Sequence, residues 1–166
     1  MRRALLSTAA VVLVLTSAVS STVIGASNCT IEGSSGDNVL IGTPGRDVIC
    51  GKGGRDWIDA KGGNDLVLSG PGRDAVRGSK GADVLKGGPG ADHLSGGPGP
   101  DRLIGGDGPE RCLYLKDGVS GNDRARGGPK TDTGAKDPAD VFVSVERDFS
   151  EPTEGVCPPF PPKPVF

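Results

Sequence analysis

The sequence predicts an all-β fold, a parallel β-roll (a β-solenoid) of tandem nonapeptides, and three columns of one repeat predict it. Counted from Gly33, the chain divides without a gap into GSSGDNVLI, GTPGRDVIC, GKGGRDWID, AKGGNDLVL, SGPGRDAVR, GSKGADVLK, GGPGADHLS, GGPGPDRLI and GGDGPERCL, ending at Leu113. Position four is glycine in every unit, from Gly36 to Gly108. Position six is Asn38, then Asp47, Asp56, Asp65, Asp74, Asp83, Asp92 and Asp101, then Glu110. Position eight is apolar throughout: Leu40, Ile49, Ile58, Val67, Val76, Leu85, Leu94, Leu103 and Cys112.

Each column has a physical meaning. A glycine at a fixed place in a repeat marks backbone that needs φ > 0 or a close approach. The three residues after position six are strand-like, with the apolar eighth between more tolerant neighbours. Six residues of turn and three of strand make half a coil, so two units complete one coil and alternate units stack on the same side. At the ordinary strand spacing of about 4.8 Å, nine units give roughly four and a half coils and a rod about 20 Å long. Composition alone points elsewhere: 29 Gly and 14 Pro with 4% aromatics suggest low complexity. The period overrides that reading. A collagen helix is excluded, because glycine does not fall at every third residue.

The ends are less regular. The register extended backwards puts Ile31 at an inward eighth position, with Thr30 to Glu32 as a starting strand. Past Leu113 the phase slips by four residues, YLKD, and GVSGNDRAR and GGPKTDTGA then echo the unit imperfectly. In DVFVSVE, Asp140 to Glu146, the alternation of Val141, Val143 and Val145 predicts a half-buried strand capping the open end. The final CPPFPPKPVF reads as an extended, unstructured proline-rich tail. The N-terminus has a basic start at Arg2-Arg3, an apolar run from Ala9 to Leu15 too short to span a bilayer, and small residues suited to cleavage after Ala18 or Ala26. The expected organisation is a signal peptide over 1–26, the roll over 27–113, degenerate repeats and a capping strand over 114–150, and the tail over 151–166. A secreted, extracellular protein follows, with no membrane span once the signal is removed.

Four cysteines, Cys29, Cys50, Cys112 and Cys157, suit that compartment, and no CxxC points to zinc or redox chemistry. Three connectivities are open. Position along the chain favours 29–50, on neighbouring coils at the start, and 112–157 at the far end.

The pattern G-G-x-G-x-D-x-U-x, nearly whole in GGPGADHLS and GGPGPDRLI, resembles the RTX (repeats-in-toxin, haemolysin-type) calcium-binding repeat. The resemblance implies Ca²⁺ as cofactor, held between stacked same-side turns by position-six carboxylates and turn carbonyls. Carried onto this chain, one edge presents Asp47, Asp65, Asp83 and Asp101, and the other Asp56, Asp74, Asp92 and Glu110. Successive members pair to give up to six sites. The chemistry agrees with the implication. Calcium takes six to eight oxygens, which one carboxylate cannot supply and two stacked turns can. Carboxylates about 5 Å apart along an edge repel by nearly 1 kcal/mol per pair even in water, and a cation removes that repulsion. The expectation is a region that folds on binding calcium. Asp123 is a further candidate for weak ligation.

Departures from the family pattern lie in the turns. From the second unit on, position five holds Arg46, Arg55, Arg73, Ala82, Ala91, Pro100 or Pro109 where the family favours Asn or Asp, and only Asn64 conforms there. Lys52, Lys61 and Lys80 also sit in the turns, where they lower calcium affinity or form surface pairs. Many RTX proteins leave the cell on a C-terminal signal, whereas here the signal is N-terminal, so the toxin label does not transfer.

The formal charge of −2 argues against a nucleic-acid partner. His93 is the one histidine, and neither HExxH nor GxSxG occurs, so no enzyme is expected and His93 reads as an exposed strand position. Trp57 shares its column, with packing or surface contact as its role. Outside the signal, repeats and tail no room remains for a catalytic domain. Two functions stay open: a secreted calcium-binding protein, and an extracellular adhesion or surface-interaction module using the calcium-stabilised roll.

Overall fold

The computed structural model describes residues 28–109, 112–115, 117–119, 122–129, 133–135, 140–143, 147–148 and 160–165. The expected signal segment, Glu110, Val145 and Cys157 lie outside these residues. Positions seven to nine of the first eight units, and a triplet one residue later in the ninth, form strands of three residues. In order these are β2 (Val39–Ile41), β3 (Val48–Cys50), β4 (Trp57–Asp59), β5 (Leu66–Leu68), β6 (Ala75–Arg77), β7 (Val84–Lys86), β8 (His93–Ser95), β9 (Arg102–Ile104) and β10 (Cys112–Tyr114). They are preceded by β1 (Ile31–Glu32) and followed by β11 (Arg124–Arg126), β12 (Thr133–Ala135), β13 (Val141–Val143) and β14 (Arg147–Asp148). Odd strands form one seven-stranded parallel sheet and even strands another. No helix occurs among the described residues. The protein is a parallel β-roll.

The eighteen-residue coil is visible in the register. Ile31 pairs with Ile49, Ile49 with Val67, Val67 with Leu85 and Leu85 with Leu103 in one sheet. Leu40, Ile58, Val76 and Leu94 pair in succession in the other. The position-eight side chains from Ile49 to Leu103 are fully buried and form one thin core shared by both sheets. Aliphatic residues suffice because each fills one storey of a narrow stack.

Beyond Ile104 the structure departs from the strict repeat. Cys112 pairs with His93 and Leu113 with Leu94, so this coil holds one residue more than the others. Leu113, rather than Cys112, therefore takes the inward eighth place. The four-residue slip is seen in the other sheet, where Ala125 pairs with Leu103 and Leu115 of the inserted stretch is buried in the core. With β11 to β14 the sheets run past the four and a half coils of the regular units. β13 ends its sheet, but with the opposite facing to that expected: Phe142 packs on the core while Val141 and Val143 are exposed. Gly134 on β12 explains the choice, since a Cβ there would collide with the Phe142 ring.

Cys29 and Cys50 form a disulfide with Cα atoms 5.9 Å apart, tying the segment before β1 to β3. Closing a loop of this length contributes about 3 kcal/mol. Cys112 is also disulfide-bonded.

Candidate metal centre

Turn backbone sets the site. Position four is left-handed at Gly54, Gly63, Gly81, Gly90 and Gly99, and a Cβ at Gly81, Gly90 or Gly99 would strike the position-four carbonyl one coil back. These positions therefore require glycine, whereas a Cβ at Gly36 or Gly45 would make only ordinary contacts. Position-four N–H groups donate to the position-three carbonyl of the next coil, as Gly63 does to Lys80 and Gly81 to Pro98, both at 3.0 Å. Turns thus stack as tightly as strands.

The position-six aspartates form two continuous ladders. Along one edge Oδ1 of Asp65, Asp83 and Asp101 accepts the backbone N–H of Asp47, Asp65 and Asp83 at 2.8–2.9 Å. Along the other, Oδ1 of Asp56, Asp74 and Asp92 accepts from Asn38, Asp56 and Asp74 at 2.8–2.9 Å. Each carboxylate is thereby fixed against the coil before it. All seven aspartates from Asp47 to Asp101 are at most 4% exposed. Glu110 lies outside the described residues. The first ladder continues where the regular units end: Oδ1 of Asp123 accepts from Asp101 N–H at 2.7 Å, and Oδ1 of Asp140 from Asp123 N–H at 3.3 Å. Asp140 was not singled out in the sequence, although its place directly before a strand triplet is the same signal.

The second carboxylate oxygen decides what the site can do. Oδ2 of Asp56, Asp65, Asp74, Asp83, Asp92 and Asp101 is buried with no hydrogen-bond partner. Burying an anionic oxygen unmatched is costly, and the acidities record it. Burial pushes the Asp56 and Asp83 carboxyls up to about 6, offset by the N–H bonds from Asn38 and Asp65 and helped by the charges of Asp74 and Asp65. Asp92 rises to about 7 and Asp101 to about 8, again through burial first, with ladder neighbours adding repulsion. Asp65 and Asp74 also rise by burial. Asp47 is the exception. Its carboxyl is held below the ordinary value by the Thr43 N–H at 2.7 Å, with hydroxyl bonds from Thr43 at 2.9 Å and Thr30 at 3.2 Å.

Glycine at position one leaves space beside these oxygens. A Cβ on Gly51, Gly78 or Gly87 would collide with Oδ2 of Asp56, Asp83 or Asp92 and approach the position-one carbonyl of the next coil, from Ser69, Gly96 or Gly105. Carboxylate and carbonyl oxygens therefore converge there. Among the described residues no three acidic, histidine or cysteine side chains gather at one point. A cation held here draws on paired aspartates and backbone carbonyls, an all-oxygen set suited to a hard ion such as Ca²⁺.

A family model described as the RTX calcium-binding nonapeptide repeat matches four times, over residues 32–67, 51–85, 68–103 and 86–108. Residues 32–108 belong to the RTX calcium-binding repeat family. No curated protein and no solved structure matches the chain. The RTX match ends at residue 108, inside the coil with the extra residue, so Asp123 and Asp140 extend the ladder beyond the recognised repeats.

Position five of the RTX turn also has a structural role, at Asn64 and at Asp37 of the first unit. Asn64 Oδ1 accepts the Ala82 N–H at 2.9 Å, and Asp37 Oδ1 accepts the Arg55 N–H at 2.7 Å. Arg, Ala and Pro elsewhere in the column forgo this bond. Several turn cations are engaged at the surface: Lys52 with Glu32 at 3.1 Å, Arg55 with Asp37 at 3.7 Å, and Lys61 with Asp59 at 2.9 Å. The first two pairs are exposed and contribute little to stability, whereas in the third the Asp59 carboxylate is buried.

Proposed function

We propose that this is a secreted, non-enzymatic protein whose roll is completed by calcium, with Asp56, Asp65, Asp74, Asp83, Asp92 and Asp101 as its principal ligands. The row of buried, unpartnered Oδ2 atoms carries this reading. Asp74 and Asp92 belong with Asp56 on one edge, and Asp83 and Asp101 with Asp65 on the other. Asp47 already receives three donors and Glu110 marks the opposite end, so both are the weakest of the proposed ligands. The ion supplies positive charge and several coordination sites where the protein supplies only oxygen. It binds the stacked turns and not the open chain, so its binding energy becomes folding energy. The apolar segment at residues 1–26 and the disulfides support export.

Circular dichroism of the chain without residues 1–26 tests this, first in EDTA and then in millimolar CaCl₂. The expected outcome is a gain of β signal with calcium, and isothermal calorimetry gives the ion count. Identical spectra in the two conditions overturn the proposal. The adhesion reading needs a surface ligand, and pull-down against cell-wall material addresses it separately.

A further inference from the structure

The outer face of the even-numbered sheet carries a second constructed site. Position seven of β4, β6 and β8 is Trp57, Ala75 and His93, on three successive rungs. Ala75 leaves a gap between the two larger rings, and Phe160 fills it. Its ring centroid lies 5.9 Å from that of Trp57 and 5.5 Å from that of His93, with interplanar angles of 64° and 86°. These are the edge-on geometries that aromatic quadrupoles favour. Arg77, at the end of β6, closes another side with its guanidinium carbon 4.3 Å from the Phe160 centroid. The Trp57 indole N–H donates to the Pro161 carbonyl at 3.0 Å, across a sequence separation of 104 residues. This docking corrects two expectations: His93 is buried, at 7% exposure, and the tail is anchored at Phe160-Pro161.

We propose that this face is a receptor for the chain's own C-terminal segment, and that Phe160 clamps three rungs of the roll. Aromatic, cationic and hydrogen-bonding partners meet one side chain and one carbonyl, and the prolines after Phe160 restrict the segment before it docks. Trp57, Ala75, Arg77 and His93 are neighbours only while β4, β6 and β8 are stacked in register. Docking and stacking are therefore linked, and each stabilises the other by the same free energy. Those rungs also carry Asp56, Asp74 and Asp92, each one residue before a docking position. Coupling of the clamp to calcium rests on the function proposed above; the docking itself does not.

Trp57 is the chain's one tryptophan, so its emission reports the site directly. In millimolar CaCl₂, Phe160→Ala is expected to shift Trp57 emission to the red and raise its quenching by acrylamide, while Phe160→Tyr retains the wild-type emission. The calcium midpoint of Phe160→Ala, read by circular dichroism, is expected to rise roughly fivefold. NMR of the wild-type chain should show nuclear Overhauser contacts from the Phe160 ring to the Trp57 and His93 rings. Absence of those contacts from the folded wild-type chain overturns the docking, whatever the variants do. An unchanged midpoint with shifted emission overturns only the coupling. A wild-type chain that ignores calcium in dichroism defeats the calcium reading, and the Overhauser contacts still decide the clamp.

Discussion

The first two turns of the roll and the later ones place a polar side chain at the same position and satisfy it differently. In the first, the Ser34 N–H donates to Asn38 Oδ1; in the second, the Thr43 N–H and hydroxyl donate to Asp47 Oδ2. From the third unit onward position two is left-handed, at Lys52, Lys61, Gly70, Ser79, Gly88, Gly97 and Gly106. The Lys61 N–H turns to Asp59 Oδ1 at 3.2 Å, and from the fifth unit the position-two N–H points along the stack: Gly70, Ser79 and Gly88 donate to the position-one carbonyls of Gly87, Gly96 and Gly105 at 2.8–2.9 Å. One reoriented peptide takes the donor from the carboxylate and gives it to the neighbouring coil. The first arrangement is a turn that completes itself; the second leaves a buried carboxylate oxygen without a donor.

The largest expected effect comes from exchanging a ligand on each side of this divide. Asp92→Asn should raise the calcium midpoint tenfold or more, a change of about 1.4 kcal/mol or greater, and lower the ion count by calorimetry. Asp47→Asn, where the acceptor already has local donors, should move the midpoint by less than about twofold, a few tenths of a kcal/mol. Equal shifts in the two variants would erase the distinction.

Acid should partly replace calcium. In the metal-free roll the Asp56, Asp83, Asp92 and Asp101 carboxyls sit at about 6 to 8, raised by burial from the ordinary 3.8. A raised acid leaves the native state holding more protons than the unfolded chain, so stability falls as pH climbs through that window. Urea unfolding in EDTA should therefore show a more stable roll near pH 4–5 than at pH 8. Added calcium should help most at the higher pH, where the proton no longer competes. A metal-free chain more stable at pH 8 would show that Asp47, whose carboxyl is held below the ordinary value, represents the ladders better than its neighbours do.

Gly87→Ala sharpens the contrast from the backbone side. Its Cβ would meet Asp92 Oδ2 and the Gly105 carbonyl, so a loss of roughly 1–3 kcal/mol from overpacking should appear in calcium-loaded thermal melts. A smaller loss than that of Gly87→Ala is expected from Thr43→Val. It removes one hydroxyl donor from Asp47, costs about 1 kcal/mol, and should make the second turn more calcium-responsive in the same melts.

How much of this was legible follows from what each residue must do. The stack was readable because Ile49 to Leu103 each occupy an identical storey, and eighteen residues is the only repeat that keeps them there. Cys112 was assigned the inward place that Leu113 holds, since one residue added within a turn leaves hydropathy almost unchanged. Valine alternation in DVFVSVE hid Phe142, whose inward facing depends on the absent side chain of Gly134 across the core. The ladders were foreseen as paired aspartates, but the bond from each Asp N–H to the next Oδ1 was not. Position two offered only a partial signal: Ser34 and Thr43 cap their turns locally, yet Ser79 is left-handed like the glycines. The Phe160 contact spans most of the chain and leaves no local pattern at all.

The Cys29–Cys50 bridge gives the stack a seed and a direction of growth. A solenoid whose rungs touch only their neighbours forms by adding one rung to the last, and the costly event is making the first. Here a covalent bond ties that rung to the next, beside two turns whose position-six side chains have local donors. Each later rung then finds a template on one side and, in the proposed function, takes up its cations as it arrives. Reduction of this bridge should therefore slow the onset of assembly far more than its later propagation.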